Sequence, residues 1–312
     1  MSPRPATDAA VARIVRRAVG SLLAMLAMLA CLAAAAASAQ EAPLEIRLVD
    51  ETEWGDAVPR DVHAVLLSAG RALLEHVPEA EPPPIEVSAK GGPILLFEPS
   101  PEGHLQVRLN TGGKFWSQYS FQFAHEMCHA VCRERPGPNR SGHLWFEEAL
   151  CETASLFVLR RMADSWRRDP PYRNWAAYAP RLADYAEMRL AESPRPEGMS
   201  LARWYERHRE ELESQPTDRP NALAVAAGLL PLFEARPERW AAVRWLNVAA
   251  PARGRSFARH LAAWRRETPR RHAAAVDAIA AEFGITLDSP AKPAPLPAAI
   301  AAPDTLPAAT AP

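Results

Sequence analysis

The sequence predicts an α+β fold: a small mixed or antiparallel sheet, then a helix carrying two histidines, then a mainly α-helical C-terminal part. Three observations lead there. Before residue 110, apolar residues alternate with polar ones in short runs, the period of strands. From about Ser117 onward, apolar residues recur almost without interruption at helical spacing. Between the two patterns stands Phe121-Gln-Phe-Ala-His-Glu-Met-Cys-His-Ala-Val131, with His125 and His129 four residues apart and Glu126 beside the first.

The first 39 residues read as a targeting segment. Arg13, Arg16 and Arg17 precede an almost uncharged run, Ala18 to Ala39, that ends in Ala37-Ser38-Ala39. A basic start, an apolar centre and a small-residue cleavage site make a signal peptide, so the chain is expected to be exported, periplasmic or secreted. Two alternatives use the same residues: an uncleaved membrane anchor, since the run is long enough to span a bilayer, and a lipoprotein anchored at Cys31.

The fold proper begins near residue 41. Leu44 to Val49 alternates like a short strand, and Val62, Val65, Leu66, Ala69 and Leu73 fall on one face of a helix over Asp61–Val77. Glu81-Pro-Pro-Pro84 links that helix to two strand-like runs, Ile85–Ala89 and Pro93–Phe97. Leu105, Val107 and Leu109 then alternate with Gln106, Arg108 and Asn110, giving a half-buried strand that ends at Thr111-Gly-Gly113. After the His125 helix, Ser141 is the expected N-cap of a helix from Leu144 to Met162. Helices follow near 174–191, 200–212, 221–235, 237–248, 255–266 and 271–283. This divides the chain into an α+β subdomain over 41–165, a helical subdomain over 166–286, and a tail over 287–312. The tail holds seven prolines from Ser289 onward and has too little to bury, so disorder is expected.

At 312 residues the chain is long enough for a sizeable core, and 48% hydrophobic and 23% charged residues are ordinary for a globular protein. Removing residues 1–40 takes away four arginines and one aspartate, leaving 32 basic and 36 acidic residues. That balance offers no clustered positive surface for a nucleic-acid partner. Cys128, Cys132 and Cys151 remain. Cys132 and Cys151 can pair and tie two neighbouring helices, or all three can be small buried packing groups.

At 100° per residue, His125 and His129 lie about 40° apart on the helix surface. Both imidazoles can reach one ion at about 2.0–2.1 Å, as tetrahedral zinc requires. Glu126 is displaced by about 100°, beside the ion, where a carboxylate can take a proton from a zinc-activated water. Cys128, about 300° around from His125, sits on the flank, and its thiolate would close the site. A catalytic zinc needs a third protein ligand and an open fourth position. The next helix offers carboxylates in Trp145-Phe-Glu-Glu-Ala-Leu-Cys-Glu152, with eighteen residues between His129 and Glu148. Glu152 lies one turn beyond Glu148 and can accept from the second nitrogen of a ligand histidine.

His-Glu-Met-Cys-His, eighteen residues, then Trp-Phe-Glu-Glu-Ala resembles the gluzincin zinc metallopeptidases, the clan of thermolysin and aminopeptidase N, and is closer to the latter branch. The resemblance covers Leu105 to Met162. It implies Zn²⁺ held by His125, His129 and Glu148, with Glu126 as the catalytic general base and Glu152 in support. Glu148 is preferred to Glu147 because only it keeps the family spacing. It also implies a gluzincin-like fold and hydrolysis of peptide or protein substrates. No Gly-x-Met-Glu-Asn-like segment, which clamps a substrate N-terminus in the aminopeptidases, precedes the motif, so an endopeptidase is expected. Those enzymes set a tyrosine against the developing oxyanion. Asn221 stands about where it would be, and its amide can donate but cannot release a proton. Tyr185, Tyr205 and His208 are the other candidate donors. The alternative is a binding or scaffold protein that keeps the peptidase fold and metal site without turnover.

Overall fold

The computed structural model describes residues 44–49, 51–96, 98–133, 143–215, 219–249 and 256–287. The expected signal peptide, the N-cap at Ser141 and the tail beyond 287 lie outside the described residues.

Four short strands form the sheet: β1 (Ile46–Leu48), β2 (Ile85–Ser88), β3 (Ile94–Leu96) and β4 (Leu105–Arg108), in spatial order β1-β2-β4-β3. β1, β2 and β4 are parallel, and β3 is antiparallel to β4. The register sets Ile46 opposite Ile85, Val87 opposite Val107, and Val107 opposite Leu95. Alternate residues of a strand point the same way, so these side chains share one buried face. The parallel pair β1–β2 needs a crossover, and α1 (Pro59–Leu74) supplies it. Proline in its first turn suits the helix start, and Val62, Val65, Leu66, Ala69 and Leu73 form the buried stripe.

The polar alternation of Leu105–Asn110 suggests an exposed edge able to pair with a substrate. The sheet order corrects this: β4 is internal, flanked by β2 and β3, and the edges are β1 and β3. Alternation reports that one face is buried; it does not report which strand lies outside.

α2 (Trp116–Arg133) packs on the β3 side of the sheet and against α3 (Leu144–Arg168). Contacts step down one helix as they climb the other: His129 meets Glu147 and Glu148, His125 meets Glu152, and the Phe121 carbonyl accepts from Ser155. The two helices are therefore antiparallel. α3 continues past Met162 because Ala163 and Trp166 extend its buried face. It ends just before Pro170-Pro171, which cannot continue a helix.

The remaining helices are α4 (Ala179–Ala191), α5 (Leu201–Ser214), α6 (Arg219–Ala235), α7 (Phe257–Glu267) and α8 (Arg270–Glu282), with 3-10 turns at Arg173–Tyr178 and Pro237–Trp245. The hydroxyls of Ser200 and Ser256 cap α5 and α7 by accepting from the third backbone N–H beyond them. An aromatic cluster of Trp145, Phe146, Tyr205, Phe257 and Phe283 anchors the start of α3 to α5, α7 and α8. It fixes the turn of α3 that carries Glu147 and Glu148. The expected division at 165/166 falls inside α3, and the described residues from Glu45 onward form one compact unit. The fold is α+β with a small mixed sheet, and no helix among the described residues is long and apolar enough to cross a membrane.

Candidate metal centre

The floor of a cleft of about 530 Å³ is made by α2 and α3, with Ile94 and Leu95 of β3 along one side and Tyr185 and Arg189 of α4 along another. His125, Glu126, His129, Glu148 and Glu152 all line it.

The two imidazoles are arranged alike. Nε2 of His125 lies 3.2 Å from one Glu148 oxygen, and Nε2 of His129 lies 3.5 Å from the other. Donor nitrogens of the two rings come within 4.8 Å of each other. Each Nδ1 faces a carboxylate of its own. His129 Nδ1 is 2.8 Å from Glu147 Oε1, and His125 Nδ1 is 3.7 Å from Glu152 Oε2, longer than a direct hydrogen bond. A proton placed on Nδ1 and shared with these carboxylates leaves each Nε2 lone pair turned towards Glu148.

This donor set fits Zn²⁺. A tetrahedron with arms of about 2.0–2.1 Å has edges of about 3.3–3.4 Å, and the two imidazole–carboxylate separations bracket that length. Cys151 Sγ also lies within 4.8 Å of donor atoms on both histidines. It is wholly buried and does not line the cleft, so a site completed by it would be shut off from substrate.

Electrostatics follow from the same contacts. Burial opposes ionisation of Glu148, but hydrogen bonds to His125 and His129 outweigh it and hold the carboxyl well below its usual range. Burial would likewise lower the pKa of His129, yet Glu147 and Glu148 bring it up to about 10. Glu126 behaves oppositely. Burial, with the nearby Glu148 charge adding to it, raises its pKa despite the two histidines and a backbone hydrogen bond from Leu95. Leu95 thus ties the edge strand directly to Glu126.

Glu147, set aside on spacing, is the best-held carboxylate of the group. Its Oε1 accepts from Arg133 Nε at 3.0 Å as well as from His129, and its Oε2 accepts from Asn247 Nδ2 at 3.0 Å. Asn247 also donates to the Cys132 carbonyl. The far end of α2 is pinned by a side chain more than a hundred residues away, which local sequence could not reveal. Glu152, besides facing His125, accepts from Arg189 at 3.3 Å, and the Arg189 guanidinium lies over the Phe121 ring.

The candidate oxyanion donors separate clearly. Asn221 is buried on α6, whose Arg219 and Ala222 line the cleft while Asn221 does not. Tyr205 is stacked on Trp145 in the aromatic cluster, and His208 is stacked on Trp204 and paired with Glu211. Tyr185 alone of the four lines the cleft. Cys128, Cys132 and Cys151 are free, buried thiols, so of the two readings the Cys132–Cys151 bridge is not made.

Comparison with protein-family models, with curated proteins and with solved structures gave no match to this chain.

Proposed function

We propose that the protein is a zinc-dependent metallopeptidase of gluzincin type, exported from the cell and acting on peptide or protein substrates. The observation that carries this reading is the Glu148 carboxylate set between two imidazole Nε2 atoms at 3.2 and 3.5 Å, on the floor of an open cleft with Glu126 beside it.

His125, His129 and Glu148 would hold the metal, with Glu152 and Glu147 orienting the two imidazoles. When bound, zinc supplies Lewis acidity and brings the pKa of a water down towards about 7. Glu126 removes the proton from the attacking water and passes it to the leaving amine. The β3 edge at Ile94–Leu96 offers backbone groups to an extended substrate, in the manner of strand addition. Of the four candidate donors, Tyr185 lines the cleft, and its phenol is the one proposed to face the developing oxyanion.

The test is zinc content and cleavage of a fluorogenic peptide library by wild type, Glu126→Gln and His129→Ala. Wild type should hold one zinc and cleave. Glu126→Gln should keep its zinc and lose about 10²–10⁴-fold in rate, and His129→Ala should lose both. A wild type without zinc, or Glu126→Gln cleaving at the wild-type rate, overturns the reading. Zinc without turnover on any peptide points instead to a scaffold that kept the metal site.

A further inference from the structure

The structure assigns a second, deeper metal site: we propose that Cys128, Cys132 and Cys151 form a trigonal thiolate site for a soft monovalent cation, Cu(I). Apart from Cys31, the chain has three cysteines. All three converge, with their sulfurs within 4.8 Å of one another. Cys128 and Cys132 are one turn apart on α2, and Cys151 meets them from α3. Each is buried, and the thiols hydrogen-bond among themselves. Three small residues needed only to let two helices approach would be served equally well by alanine or serine.

The geometry selects the ion. With metal–sulfur bonds of about 2.3 Å, a trigonal plane needs sulfurs about 4.0 Å apart, and the three sulfurs, all within 4.8 Å of one another, exceed that by less than 1 Å at most. Zinc prefers a fourth ligand. The other donors within reach of Cys151 are the imidazoles of His125 and His129, which face the cleft. All three cysteines are buried away from bulk water. Thiolate sulfur favours Cu(I) among soft ions, and three donors satisfy it. Binding replaces the three S–H protons, which leave to solvent, with three metal–sulfur bonds and no change in oxidation state.

The full-length protein is tested anaerobically with Cu(I) supplied as its acetonitrile complex, against a chromogenic Cu(I) chelator. Loading is done both on the folded protein and during refolding, because the site is buried. We expect one Cu(I) per chain and an X-ray absorption spectrum with three sulfur neighbours and no nitrogen. The His125→Ala/His129→Ala variant should bind equally well, and each single Cys→Ala variant should lose at least about 100-fold in affinity, more than the loss of a supporting contact costs. Removal of all copper by the chelator in both loading protocols would overturn the proposal. So would nitrogen neighbours, or Cys→Ala variants that bind as wild type does. If those variants do not fold, the wild-type absorption spectrum decides alone. Nothing here depends on peptidase activity, so failure of one proposal leaves the other standing.

Discussion

Replacing Glu147 by glutamine tests the support beneath the proposed metal ligands without touching one of them. The carboxylate is 1% exposed and receives His129 and Arg133 on one oxygen and Asn247 on the other. An amide has one acceptor oxygen. If that oxygen stays with His129 and Arg133, its NH₂ group meets the NH₂ of Asn247, donor against donor. If it flips, both His129 and Arg133 lose their acceptor. The substitution also removes the charge that Glu147 sets against Arg133; because that arginine is a quarter exposed, the cost should sit at the low end for a pair broken on one side, about 3 kcal/mol. At about 2–4 °C per kcal/mol for a chain of this size, the melting temperature should fall by about 10 °C. Loss of an orienting carboxylate should weaken zinc by about 10–100-fold. Differential scanning calorimetry in excess chelator isolates the first effect, and zinc-buffered titration the second. A melting temperature within about 2 °C of wild type, together with unchanged zinc affinity, would refute the role given to Glu147.

Three further outcomes are expected. Burial raises the Glu126 pKa above its ordinary 4.5, so wild-type stability is fully present below that ordinary value and declines as pH rises through the raised one. Glutamine does not titrate, so metal-free Glu126→Gln should melt above wild type at pH 7, with the gap closing below about pH 4; a lower melting temperature at pH 7 contradicts this. A Cβ on Gly92 would stand 1.9 Å from the Arg108 carbonyl oxygen, so Gly92→Ala must push β3 off β4. It should cost about 1–3 kcal/mol and raise KM while leaving kcat and zinc content close to wild type, read by peptide kinetics and metal analysis; unchanged kinetics would count against β3 as the substrate edge. Trp145→Ala removes the centre of the aromatic cluster at the start of α3 and should cost about 3–5 kcal/mol in urea unfolding, with a loss under about 1 kcal/mol showing that the cluster does not anchor that helix.

The part of the site that follows helical spacing was legible in the sequence. His125, Glu126 and His129 are fixed relative to one another by 3.6 residues per turn, and Glu148 and Glu152 by the same rule on the next helix. What escaped depends on how helices meet. Choosing between adjacent glutamates as orienting groups requires knowing where α2 ends relative to α3, and Asn247, which helps to hold Glu147, lies far along the chain. The sheet edge escaped for a different reason. β3 has three residues, too few to show a period, while the cleaner alternation of β4 belongs to an internal strand. α3 runs past its expected end at Met162: Arg167 and Arg168 give its last turn a surface-like composition, although Ala163 and Trp166 remain buried.

The antiparallel pairing of α2 with α3 has a consequence for how substitutions combine. Residues 147 to 155 of α3 span about 12 Å of helix, and along that length they meet His129, His125 and the Phe121 carbonyl in turn. Changes so far apart ordinarily add. Here the contacts share one rigid alignment, and Ser155→Ala, at the end remote from Glu147, should show measurable coupling to Glu147→Gln in a double-mutant cycle. The pair of helices then behaves like a vernier: it is set at every mark together or at none.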